Sequence, residues 1–129
     1  MTAACRSLVL RWGPVILIME IIFLASATPS TEMLDFGVID LLVKKGGHFT
    51  VYWLLALACL RGMGDTPQGR WLVVGWCLLY AISDEVHQSF VSGRNAAVVD
   101  VMIDMTGVLF AVWLYHHFKR VQHMVNAGM

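Results

Sequence analysis

WLVVGWCLLYAISDEVHQSFV, residues 71–91, decides the fold. Its first part is apolar through Ile82, and Asp84, Glu85, His87 and Gln88 then follow within one and a half turns. A run of this length matches the roughly 20 residues that a membrane-spanning helix needs. Three more apolar stretches flank it: Leu8 to Ala27, Gly46 to Leu60 and Val98 to Phe118. The expected architecture is therefore all-α: one polytopic membrane domain with four transmembrane helices at about 8–27, 46–60, 71–91 and 98–118.

Bulk composition points the same way. The 129 residues are 58% hydrophobic and 14% charged, with a mean hydropathy of +0.69. A soluble domain carries roughly 45–50% apolar and about 25% charged residues. The formal net charge is zero, which argues against a nucleic-acid partner. Cys5, Cys59 and Cys77 have no metal-ligand spacing and read as reduced packing residues.

The second span is the shortest. Only Phe49 to Leu60 is uninterruptedly apolar, so Lys44, Lys45 and Arg61 must snorkel toward water at its ends. Residues 33–43 read as a short amphipathic segment lying at the interface, or as an extension of the second helix. Arg6, Arg11, the first apolar run and Ala25-Ser26-Ala27 resemble a cleavable secretory signal, but Glu20 and the length of the run favour a span. Arg6, Arg11, Arg61, Arg70, Lys119 and Arg120 fall on one side of this layout, and only Lys44, Lys45 and Arg94 on the other. The excess of cations places both termini on the cytoplasmic side of the membrane.

The polar residues that interrupt the spans share one depth. Glu20 and Asp84 each lie seven residues before the outer end of their span, and Asp104 seven after Ala97. That spacing puts them roughly 10 Å below the outer surface. Glu85, Gln88 and Asp100 lie between that layer and the interface, and His48 enters at the top of the second helix. Lys45, His48 and Tyr52 line one side of the second helix; Asp84 and Gln88 stack on the third; Asp100, Asp104 and Gly107 share a side of the fourth.

An intramembrane carboxylate costs about 2.5–3.5 kcal/mol, so this cluster must be paired, protonated or metal-bound. Five outer carboxylates face three fixed cations. Two retained protons or one divalent cation on hard oxygen ligands would close the gap, and the sequence leaves both open. The second and fourth helices both begin on the outer side, next to Lys44-Lys45-Gly46-Gly47 and Ser92-Gly93-Arg94-Asn95. Helix N-termini with Lys and Arg nearby suit an anion such as a lipid phosphate.

These residues resemble the VanZ-like family of small bacterial membrane proteins. The likeness rests on Lys45, His48 and Tyr52 as K-x-x-H-x-x-x-Y, and on SDEVHQSFVSGRNAAVVDVMIDMTG from Ser83 to Gly107. Two positions depart from the family pattern: Asp104 stands where Asn is common, and Ser92 where Pro is usual. The resemblance implies a single membrane domain of the cell envelope linked to glycopeptide, specifically teicoplanin, resistance.

Three functions fit. The first is an envelope enzyme or binder acting on a phosphate-bearing lipid or lipid-linked cell-wall precursor. In it, Asp84, Glu85 and His48 supply acid–base groups, Lys45, Gln88, Arg94 and Tyr52 hold the anion, and Asp100 and Asp104 complete the network or a metal site. The second is an accessory protein whose polar groups fix helix packing. The third is a proton- or ion-coupled transporter. His116, His117 and His123 read as a solvated tail, and the eight methionines as packing residues.

Overall fold

The computed structural model describes residues 3–29 and 37–128, which form four helices: α1 (Ala3–Ala27), α2 (Val38–Met63), α3 (Pro67–Gln88) and α4 (Val98–Ala127). No strand occurs among the described residues. Two elements are longer than the apolar runs that announce them. α4 continues past Phe118 to Ala127, and α2 begins at Val38 instead of Gly46. Of the expected interfacial segment, residues 33–36 lie outside the described residues, and 38–43 form the first turns of α2. α3 stops at Gln88, three residues early, and turns through Ser89 to Gly93.

The local chemistry of the ends is clear at α3. Thr66 accepts a hydrogen bond from the Gly69 N–H at 3.0 Å, and Pro67 occupies the first helical position. A hydroxyl cap followed by proline is a strong helix start. Only three residues separate α2 from α3, and Gly64 turns the chain there with φ 83°.

Neighbour pairs give the topology. Tyr80 of α3 donates to the Met19 carbonyl of α1, and Gln88 reaches Ser26 farther along, so α1 and α3 run parallel. Lys45 meets Asp100 and His48 meets Asp104, so α2 and α4 also run parallel to each other. Arg11 and Arg61 tie the start of α1 to the end of α2 by donating to the Gly62 and Leu10 carbonyls. The result is an up-down-up-down bundle with the α3–α4 connection at the polar end.

The core is built from small and medium side chains: Ala56, Cys59, Cys77, Ala81, Val73, Val108 and Ala111, around Tyr52, Leu55 and Leu60. α2 and α4 pack most closely where Gly107 lies directly on the Phe49 carbonyl; a Cβ at Gly107 would collide with that oxygen. Small residues at a helix crossing are the device by which membrane helices approach. The polarity of the bundle is inverted relative to a soluble one. Asp104 is 0% exposed while Leu17, Leu24, Leu79, Leu109 and Phe110 are open on the outside. α1 and α4 are long and apolar enough to cross a membrane, with mean hydropathies of 2.1 and 1.7 in their best windows. α2 and α3 are diluted by Lys44, Lys45, Arg61, Arg70, Asp84 and Glu85.

Candidate functional site

The polar stratum forms at the end of the bundle where α1 and α3 finish and the parallel pair α2–α4 is still near its start. Lys45 Nζ lies 2.6 Å from Asp100 Oδ1, and His48 Nδ1 lies 3.1 Å from Asp104 Oδ1. Spacings of three on α2 and four on α4 put both pairs on one helix–helix seam. A second set lies on α3. Gln88 Nε2 donates to Asp84 Oδ2 at 3.1 Å and to Ser26 Oγ at 3.2 Å. Asp84, Glu85, Gln88, Ser26, Asp104 and Tyr52 are all buried.

Arg94 and Glu85 take tasks that the sequence did not reveal. The Arg94 guanidinium donates to the Thr28 and Ala25 carbonyls, both at 2.9 Å, and to Gln88 Oε1 at 3.2 Å. It thereby ties down carbonyls in the last turn of α1 and just past its end. Glu85 Oε2 accepts the Ala97 N–H at 2.8 Å. Ala97 cannot cap α4 with its own side chain, so Glu85 does from α3 what the glutamate three residues after the cap does in a capping box.

This assigns opposite outcomes to two conservative changes. Glu85→Gln keeps an acceptor oxygen and is expected to accumulate and melt within about 1 kcal/mol of wild type. Glu85→Ala removes it and is expected to lose about 1–2 kcal/mol. Thermal unfolding in detergent compares them, and equal melting of both variants would remove the capping role.

Other residues fall outside the cluster. Glu20 is exposed on α1 beside Phe23 and Tyr80, rotated away from the seam although it shares the depth. His87 stacks on Phe23 with ring centroids 4.7 Å apart, and Ser83 donates to the Tyr80 carbonyl. At the opposite end, Asp65 pairs with Arg70 at 3.1 Å and lies 3.7 Å from His116. Cys59 and Cys77 are buried free thiols, and Cys5 is exposed.

Among the described residues, no three His, Cys, Asp or Glu side chains converge as a metal site. The carboxylates are instead taken up pairwise by Lys45, His48, Gln88 and the Ala97 N–H. Tyr52 Oη, Asp104 Oδ2 and Glu85 Oε1 are buried polar atoms without a hydrogen-bond partner among the described residues.

Next to the network lies a cleft of about 580 Å³. Ile21, Ile22, Val43 and Val51 make an apolar wall, while Lys44, Lys45, His48 and Arg94 bring four basic side chains against one carboxylate, Asp100. α1 and α2 touch at the far end, where the Trp12 ring covers Gly62, and part here to leave this space.

Fold and site together define a small helical bundle, apolar outside, with the Lys45–Asp100 ion pair and the His48–Asp104 contact between its helices and a basic, half-greasy cleft at one end. The VanZ/LLP1 family profile matches residues 12–119, and the chain belongs to that family. The match includes every residue of the network. No curated protein and no solved structure gives a significant match.

Proposed function

We propose that the protein is a four-span protein of the bacterial inner membrane, with both termini cytoplasmic and the cleft facing outward. On this reading the cleft holds the anionic head of a phosphate-bearing lipid or lipid-linked cell-wall precursor, and its occupancy alters susceptibility to teicoplanin. The carrying observation is the composition of the cleft: an apolar wall for a hydrocarbon chain beside the Lys44 and Lys45 side chains for a phosphate. The inverted polarity of the bundle supports membrane insertion, and the larger number of cations away from the cleft, Arg6, Arg11, Arg61, Arg70, Lys119 and Arg120, supports this orientation.

Lys45 is the residue to test, because it lines the cleft and its side chain is 36% exposed. Lys45→Met keeps the stem and removes the charge. Purified protein in phosphatidylcholine nanodiscs is expected to bind a fifteen-carbon prenyl monophosphate, and the variant to bind it at least about tenfold more weakly, which is about 1.4 kcal/mol. Binding by the variant at wild-type strength would overturn the reading. A host expressing each form at equal membrane level then reports, by teicoplanin susceptibility, whether occupancy matters to the cell.

The polar network also favours a second reading, as helix-packing glue in an accessory protein, since Arg94, Glu85 and Gln88 all spend their bonds on positioning helices. Under it, wild type binds no anionic lipid and each network substitution lowers accumulation instead.

A further inference from the structure

We propose that His48, oriented by Asp104, is a general base that cleaves the phosphoanhydride of a lipid diphosphate held in this cleft. The inference rests on the anionic-lipid reading above and adds a reaction to it.

The geometry begins with a buried carboxylate on an imidazole. Asp104 is fully buried and sits 3.1 Å from His48 Nδ1. A carboxylate on one ring nitrogen fixes the ring orientation and places the proton on that nitrogen, which leaves the other nitrogen as a proton acceptor. His48 is 21% exposed and lines the cleft, and its Nε2 is neither buried nor hydrogen-bonded among the described residues. Asp84 and Glu85 lack this disposition. Asp84 accepts from Gln88, and Glu85 holds the start of α4 and keeps its second oxygen buried. The free ring nitrogen of His48 is therefore the acid–base atom that meets the cleft.

The chemistry of the surroundings selects the reaction. Ser26 accepts from Gln88, the Thr50 hydroxyl donates to the Gly46 carbonyl, and no hydroxyl is hydrogen-bonded to His48 among the described residues, so none is a nucleophile poised on it. Water is then the nucleophile. His48 Nε2 takes its proton while the water oxygen bonds to the terminal phosphorus. The bridging P–O bond of the anhydride breaks, its electron pair leaves with the lipid monophosphate, and inorganic phosphate is released; the proton passes from His48 to solvent. A phosphomonoester would expel an alkoxide and demand a second group as acid. An anhydride expels a phosphate that needs no proton, so a site with one acid–base atom suits it. Lys44 and Lys45 sit where they face the added negative charge. Asp104 acts here as a positioning residue.

The test uses the full chain in phosphatidylcholine nanodiscs with a fifteen-carbon prenyl diphosphate, inorganic pyrophosphate as the soluble comparison, and phosphate release as the readout. Wild type is expected to turn over the prenyl diphosphate at least about tenfold faster than pyrophosphate. His48→Gln is expected to lose turnover by about a hundredfold or more, and Asp104→Asn to lose a similar factor in kcat with KM changed less than about threefold. Prenyl monophosphate binding is measured on every variant to show an intact cleft. Binding without turnover in wild type overturns the dyad and leaves the lipid reading standing. No binding in wild type overturns both. Full turnover by His48→Gln, or equal rates on pyrophosphate, overturns the proposed base or the lipid substrate respectively.

Discussion

Gly107→Ala lowers the stability of the bundle by about 1–3 kcal/mol, and Gly107→Leu yields almost no folded protein in the membrane; these are the expected results of filling the α2–α4 contact. The cause is backbone, which cannot rotate away. A methyl at Gly107 meets the Phe49 carbonyl oxygen, with the Phe49 carbonyl carbon at 3.2 Å and the Trp53 nitrogen at 3.3 Å behind it. Relief comes only if α4 moves off α2. That motion pulls directly on the seam that carries Lys45–Asp100 and His48–Asp104, because both pairs lie within two turns of Gly107. Thermal unfolding in detergent, with membrane abundance for the leucine variant, measures the effect. An alanine variant as stable as wild type would show that the two helices are not in contact there.

Arg94→Met is expected to destabilise by roughly 2–4 kcal/mol, since three charge-assisted hydrogen bonds are lost from a half-buried group. Arg94→Lys is expected to recover less than half of this. An ammonium is a point donor and cannot reproduce the fork that spans the Thr28 carbonyl, the Ala25 carbonyl and Gln88 at once. Amide exchange localises the damage: protection should fall at the end of α1 and in the turn that follows Gln88, with the Trp12–Gly62 end unchanged. Full rescue by lysine would mean that Arg94 contributes charge alone, as an anion receptor does.

The contrast between those two residues shows what the letters carry. Gly107 was legible because it shares a helical side with Asp100 and Asp104, and a glycine there permits close approach. The two faces of the seam were legible one at a time, Lys45 and His48 three apart on one helix and Asp100 and Asp104 four apart on another, but which face meets which was not. Arg94 was not. Its place after Gly93 and near a helix start suggested a phosphate, whereas its partners are carbonyls of α1, more than sixty positions earlier in the chain.

Glu20 failed differently. Depth follows from counting along a helix, but rotation depends on how the helix packs, and α1 turns Glu20 outward beside Tyr80. The start of α2 was hidden by Asp40, Lys44, Lys45 and the Gly46-Gly47 pair, which lower hydropathy without breaking the helix. Glu85 reads as a reactive carboxylate in sequence because its service to Ala97 crosses from one helix to the next. The basic cleft itself needs the parting of α1 from α2, and no spacing encodes that.

The closed Trp12–Gly62 end and the open cleft at the other give the α1–α2 pair the form of a clothes peg, gripping at one end of the bundle only. On the lipid reading proposed above, a guest that carries a hydrocarbon tail would arrive by sliding within a single leaflet, in two dimensions. Occupancy of such a grip follows the mole fraction of the guest in that leaflet and not its amount in the cell. The same lipid on the opposite face is invisible to it until something carries the headgroup across.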